Sequence, residues 1–514
     1  MLTVCADPLL PALARGGDAQ APHALVIGSG FGGLAAAVRL GARGWRVSVL
    51  EKLDQPGGKA RVHRVDGYTF DAGPTVITAP HLFEELWALA GRRLADDVDL
   101  RPVSPYYRVR FDDGTQCDVS GDAAAMRAEV ARIAPGDVEG YERFLQTSRR
   151  IFEVGFEQLA HQPFDHWADM ARVLPELLRL EAWRSVHGLA ARHVRDPKLR
   201  MVLTFQSLLV GGNPFTTTSV YCLIAALERR WGVHFPIGGT GQLVRGLVRL
   251  IEHQGGSVRC NAGVAEILVE RGAACGVRLD SGERIAADIV VCNADSATAY
   301  RQLLPGVQRR RWTDSRIERA RYSMSLFVWY FGTRRRYDAL AHHTILMGPR
   351  YRELLDDIFR RRHLADDFSL YLHRPTATDP SVAPPGCDTF YVLAPVPHLD
   401  SGTDWRAQAE PYRQAIADHL DRTVMPGFQA HLTTSLMTTP QDFHDRLLSV
   451  KGAAFGLEPL LLQSAWFRPH NRSEDIDHLF MVGASTHPGA GMPGVLSSAK
   501  ALESVLPDVA SFAR

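Results

Sequence analysis

Residues 23–52 read HALVIGSGFGGLAAAVRLGARGWRVSVLEK, and no other stretch limits the fold so tightly. Ala24 to Ile27 is a short apolar run with the pattern of a buried strand. Gly28, Gly30 and Gly33 then fit G-x-G-x-x-G, and Leu34 to Leu40 continues as an Ala-rich helix. Trp45 to Leu50 is a second strand, ending at Glu51. In such a unit Gly28 makes the tight turn, Gly30 lets backbone approach a pyrophosphate, and Gly33 permits close helix–strand packing. The helix start offers free N–H groups and a positive dipole end to phosphate. Glu51 falls where a carboxylate accepts ribose hydroxyls, which argues against a 2′-phosphate and so against NADP. Ser29, Phe31 and Gly32 complete the turn and Lys52 follows the acid, so all four join the expected dinucleotide contacts. The fingerprint alone does not separate NAD from FAD.

The following stretch, DQPGGKARVHRVDGYTFDAGPTVI, places Gly57-Gly58-Lys59 and Ala60 a few residues past Glu51. An extended cofactor needs a second backbone surface beyond the pyrophosphate. A glycine pair followed by a cation offers one, which makes Gly58, Lys59 and Ala60 candidate contacts. At 514 residues the chain exceeds one compact core and predicts two or more domains. A formal charge of +1 gives no global reason to expect nucleic acid. Local runs at 309–311, 334–336 and 360–362 read first as solvated arginines, and second as attraction to anionic lipid. The seven cysteines are scattered and lack a C-x-x-C pair, which disfavours a disulfide framework or a zinc site and suits a reducing cytosol. Residues 1–22 read as a loose extension, without the basic start of a signal peptide. The best apolar run, Leu208 to Leu227, is cut by Gly211-Gly212-Asn213-Pro214, so no spanning helix is expected.

Motifs along the chain carry a resemblance. GSGFGG, PGGKA, FDAGPTVIT, LLVGGNPF, ALERRWGVHFPIGGTG, AHHT, GPRYREL, FSLYLHRP, YVLAPVPHL, QSAWFRPHNR and GASTHPGAGMPGVLSSAK together resemble the bacterial phytoene desaturase family of carotenoid biosynthesis, from about Ala24 to the C-terminus. The resemblance implies an FAD-dependent enzyme of the amine-oxidase and GDI-like fold. It implies long apolar carotenoids as substrates, phytoene first, converted to neurosporene or lycopene. It also implies a peripheral site on the cytoplasmic side of the cell membrane, with quinone or oxygen reoxidising the flavin. Two alternatives stay open: a carotene isomerase or another carotenoid desaturase, and a flavin-free lipid-binding protein of the GDI type.

The expected fold class is α/β: a Rossmann-like FAD-binding domain in three pieces (23–119, 236–296 and 469–514), a mixed-sheet substrate domain (297–468) and a helical, membrane-associating region (120–235). Within the helical region, Leu174, Leu178, Ala182, Val186 and Leu189 fall near one face of a single segment, with Arg179, Glu181 and Arg184 supplying charge elsewhere and Trp183 close by. That pattern suits an interfacial helix or a core-facing one. Residues 257–292 read as a sheet-like unit whose last strand ends at Asn293-Ala294. Ligands gather at strand C-terminal ends in doubly wound sheets, so Val264, Asn293 and Ala294 are candidate cofactor contacts, as the matching family positions suggest. MSLFVWYFG, FSLYLHRP and TFYVLAPVPHL read as strands of a second sheet, either plain core or the wall of an apolar tunnel.

Near the end, MVGASTHPGAGMPGVLSSAK spends Gly483, Gly489, Gly491 and Gly494 between a strand and a helix. A flat cofactor passing close to backbone accounts for such a turn. Pro493 suits the first helical turn, and Gly483, Ser485, Met492, Pro493, Gly494 and Val495 are expected against the flavin. The helix start would favour the charge that a flavin gains with hydride. Where related folds carry an acid after Gly483, this chain has Ala484-Ser485-Thr486, so contact there falls to backbone or hydroxyls. His487, in this turn, is a candidate proton relay, and Arg149 is a candidate for stabilising charge near the polyene. No Ser-His-Asp order, metal-ligand cluster or P-loop stands out.

Overall fold

The computed structural model describes residues 21–512; the expected N-terminal extension lies outside them except for its last two residues. The His23–Ile27 strand is buried throughout because it lies between two parallel strands, Arg46–Leu50 and Ile289–Cys292, with helices packed on the sheet. Leu479–Met481 and Ser257–Arg259 add the two edges, giving five parallel strands. The Phe31–Ala42 helix buries Ala35, Ala36 and Ala37, and these small side chains let the Gly241–His253 and Met492–Glu503 helices lie against it. Residues 257–292 therefore divide. Their two outer strands belong to this sheet, while Val264–Glu270, Ala273–Leu279 and Arg284–Ala286 form a separate antiparallel meander.

A second, seven-stranded sheet is built around Ser325–Thr333, which pairs antiparallel with Asp388–Val396 and Leu432–Thr438. Beyond Asp388–Val396 come Leu370–His373, His343–Met347, Tyr107–Phe111 and Gln116–Val119. All nine residues of Ser325–Thr333 are buried, which is why its sequence shows no polar alternation. Phe327, Trp329 and Phe331 pack beneath the Trp405–Thr423 helix. Val328 and Tyr330 belong to the opposite core and face a cavity. The aromatic strand is core on one side and wall on the other.

Two boundaries differ from expectation. The segment 23–119 does not stay in the first domain, because Tyr107–Phe111 pairs in parallel with His343–Met347 and carries Gln116–Val119 with it into the second sheet. Residues 174–189 are not one helix. Trp167–Arg179 ends, Glu181 takes a left-handed φ of 53°, and Val186–His193 starts again on Ser185, whose hydroxyl accepts the Gly188 N–H at 2.9 Å. The expected stripe is split accordingly. Ala182, Val186 and Leu189 are buried, whereas Leu174 and Leu178 face outward.

Candidate active site

Gly28, at φ +88°, turns the chain out of the first strand while its N–H donates to the Leu50 carbonyl at 2.7 Å. A Cβ on Gly33 would stand 2.1 Å from the Gly28 oxygen, so only glycine allows the helix this close. No side chain caps the Phe31–Ala42 helix, which leaves its first N–H groups for a ligand. Glu51 is buried at the end of the second strand. Its Oε2 accepts from the Ser29 N–H at 2.9 Å and the Ser29 hydroxyl at 2.5 Å, and its Oε1 from the Leu53 N–H at 2.9 Å. Three donors leave a carboxylate lone-pair capacity for a hydroxyl.

The second glycine pair folds back onto the first turn. The Gly57 N–H donates to the Ser29 carbonyl at 3.0 Å, and a Cβ on Gly58 would come 3.4 Å from Gly30 Cα. Lys59 donates to the Ala454 carbonyl at 2.6 Å; burial draws its pKa down, and the Asp295 carboxylate opposes that. Ala60 is buried behind it, and Lys52 is exposed at the rim, 3.3 Å from the Asp445 carbonyl.

Asn293 joins the two ends of the chain. Its Oδ1 occupies the space where a Cβ on Gly32 or on Gly483 would stand, 2.6 Å away in each case. Gly483 is thus small to admit Asn293, and it does not line the cavity, contrary to its expected place against the flavin. Val264 and Ala294 do line it. So does Ser485, although its hydroxyl oxygen already accepts the Ser296 N–H at 2.8 Å. Further on, Gly489 and Gly491 adopt φ of +136° and +92°, and a Cβ on Gly494 would stand 2.6 Å from the Gly489 oxygen. Met492, Pro493, Gly494 and Val495 then face the cavity at the start of a second helix without a side-chain cap.

Two cations here escaped the sequence reading. Arg468, 1% exposed, lies beneath Gly489 and donates to the Ala484 carbonyl at 2.8 Å; burial pulls its pKa down. Arg61, 5% exposed, lines the cavity with its Nη1 unpartnered. The available signal was position, since Arg61 follows PGGKA and Arg468 sits in QSAWFRPHNR. Two uncapped helix starts, a buried acid with spare lone pairs and a buried N–H without an acceptor fit a flavin dinucleotide.

From this end one cavity of about 600 Å³ continues between the seven-stranded sheet and the helical region. Val328, Ile345 and Leu393 line one side, Phe156, Leu208 and Leu227 the other. Trp167–Arg179 roofs it, turning Met170, Val173 and Leu177 inward while Trp167, at 71% exposure, Leu174 and Leu178 face out. A buried acid stands in the wall: Glu228 accepts from the Tyr107 hydroxyl at 2.6 Å, and burial pushes its pKa up to about 7.

His487 lines the cavity, edge-on to Phe164. Burial, then the Arg468 guanidinium, pushes its pKa down to about 3, so the near-neutral titration behind the relay reading is absent. Arg149 is not at the site. It lies on the exposed face of the Val138–Phe152 helix, paired with Glu153 at 3.1 Å. The fold also gathers His342, His343 and His373 at one buried point, a grouping that their positions in the sequence do not single out.

Residues 31–501 match the family described as flavin containing amine oxidoreductase. The chain is 50% identical over 504 residues to the neurosporene-forming phytoene desaturase of Cereibacter sphaeroides, covering 97% of each. It is 52% identical to the lycopene-forming phytoene desaturase of Pseudescherichia vulneris, covering 94% of this chain and 98% of that one. Among solved structures, cyclohexylamine oxidase from Brevibacterium oxydans shares the fold at a TM-score of 0.62 and 15% identity, over 96% of this chain and 100% of that one. The chain belongs to the flavin-containing amine oxidoreductases and, among them, to the bacterial phytoene desaturases.

Proposed function

We propose that this chain desaturates phytoene in carotenoid biosynthesis, forming neurosporene or lycopene, while resting on the cytoplasmic face of the cell membrane. One observation carries the reading: a single cavity joins the dinucleotide turn to a long chamber of aliphatic and aromatic side chains. FAD, when bound, supplies the hydride acceptor. The residues of the chain do the rest. Glu51, the free N–H groups after Gly30 and the Arg61 guanidinium hold the cofactor. The start of the Met492–Glu503 helix, with Arg468 behind it, provides fixed positive potential. The apolar walls align a hydrocarbon by exclusion of water, having no polar handle to grip.

The outward face of Trp167–Arg179 supports the membrane reading. Trp167, Leu174 and Leu178, with Trp183 beyond the helix, stand exposed beside Arg172 and Arg179, the pattern of a helix lying in a lipid interface. Among the described residues no helix is long and apolar enough to cross a membrane. Phytoene dissolved in lipid would enter past this roof. Each desaturation delivers two electrons, which a quinone in the same lipid, or oxygen, would remove.

The test is incubation with phytoene in liposomes and FAD, with chromatography of the pigments. Conjugated carotenes should appear without nicotinamide, and under anaerobic conditions when a quinone is added. Phytoene left unchanged by protein that retains its flavin would refute the assignment.

A further inference from the structure

AHHT and FSLYLHRP play no part in the cofactor site, yet the second sheet brings their histidines together. His343 and His373 are directly paired residues of adjacent antiparallel strands, so their side chains share a face. His342, the residue before, reaches the same point, with its Nε2 3.0 Å from His373 Nε2. One ring nitrogen from each histidine lies within 4.8 Å of the others, and all three rings are buried. Two of the outward nitrogens are already engaged: His342 Nδ1 with the Thr378 hydroxyl at 2.6 Å, and His343 Nδ1 with the Tyr371 hydroxyl at 2.7 Å. His343 Nε2 is left buried with no partner.

We propose that His342, His343 and His373 form a centre for one divalent transition ion of the zinc type. Three neutral imidazoles with one open position are a familiar ligand set for zinc, and nitrogen donors suit that class of ion over calcium or magnesium. Bonds of 2.0–2.1 Å at tetrahedral angles hold two nitrogens roughly 3.3 Å apart. The His342–His373 pair already meets that spacing to within a few tenths of an ångström, and His343 closes by a small ring movement. The Nδ1 partners supply the outer hydrogen bonds that orient ligating histidines. The neighbouring cation, Arg374, is matched by Asp388 at 2.9 Å and Asp338 at 2.6 Å. Phe235 closes the centre, edge-on to His342.

The ion would tie two strands and the loop before them to Tyr371, whose hydroxyl also meets Thr75 at 3.1 Å. Both Tyr371 and Thr75 line the substrate chamber. The centre therefore fixes the shape of one wall and takes no part in electron transfer.

The experiment uses holoprotein purified without a histidine tag, with elemental analysis before and after growth in added zinc, and in added cobalt. About one equivalent per chain is expected, with visible d–d absorption from the cobalt form. His343→Phe and His373→Gln should lose the ion while keeping flavin absorbance. Should both variants fail to fold, refolding of the wild type with and without a zinc chelator replaces them: recovery that depends on zinc supports the centre, and equal recovery overturns it. Wild-type protein with under about a tenth of an equivalent after growth in zinc, or folded variants that carry as much as the wild type, would equally overturn it.

Discussion

Glu228 shows what a single side chain can do to the pH response of this protein. Its ordinary pKa is 4.5, and burial raises the folded value to about 7. As pH rises between those values the unfolded chain gives up its proton while the folded chain keeps it, so this group makes the fold less stable with rising pH. Glu228→Gln keeps an acceptor for the Tyr107 hydroxyl and removes the charge. Relative to wild type it should gain up to about 3 kcal/mol near pH 8, a gain that closes toward pH 4.5. Denaturant unfolding at both pH values checks this; a gap that stays constant would show that Glu228 titrates normally. Nothing in ALERRW marks that glutamate as buried, because the two arginines after it make the helix face read as solvated. Arg61 and Arg468 were hidden in the same way. Glycines are more legible, since a forbidden Cβ leaves its trace directly in the sequence. Even so, Gly483 was matched to the wrong neighbour: it yields to Asn293.

At the scale of elements, Trp167–Arg179 has no buried residue, although its inner face looks into the chamber. Apolar spacing on a helix reports that a face avoids water, and lipid and protein core satisfy it equally. That is why the sequence left the two readings open, and why the break at Glu181 went unseen: a left-handed non-glycine residue has no strong signature. Changing Trp167, Leu174 and Leu178 together to Ser should reduce the liposome-bound fraction tenfold or more, at about 1.5–3 kcal/mol for each fully buried side chain and less for partial immersion. Met170, Val173 and Leu177 are untouched, so flavin content should not change. Unaltered binding in a flotation assay would remove this helix from the interface. The aromatic strands were legible as strands but not as wall or core, since Ser325–Thr333 is buried on both sides.

For the whole molecule, the dinucleotide unit and its second glycine pair were readable because they are local. The full extent of the second sheet was not, because Tyr107–Phe111 meets its partner strand from far along the chain. The cofactor cradle likewise draws on residues 28–61, 293–295 and 484–495. A ligand held by three distant segments binds only the assembled protein, so FAD at 100 times its Kd should add about 2.7 kcal/mol. The unfolding midpoint should rise with FAD concentration, and a midpoint indifferent to it would mean that the segments do not share the ligand. The parallel pairing of early and late strands also has a bearing on biosynthesis. A ribosome releases Tyr107–Phe111 long before His343–Met347 emerges, so the nascent polypeptide carries an unsatisfied strand edge while residues 112–342 are being made. Non-local pairing of this kind is slow and invites aggregation, which makes early shelter by a chaperone, and a late arrival of the flavin, the natural order of maturation.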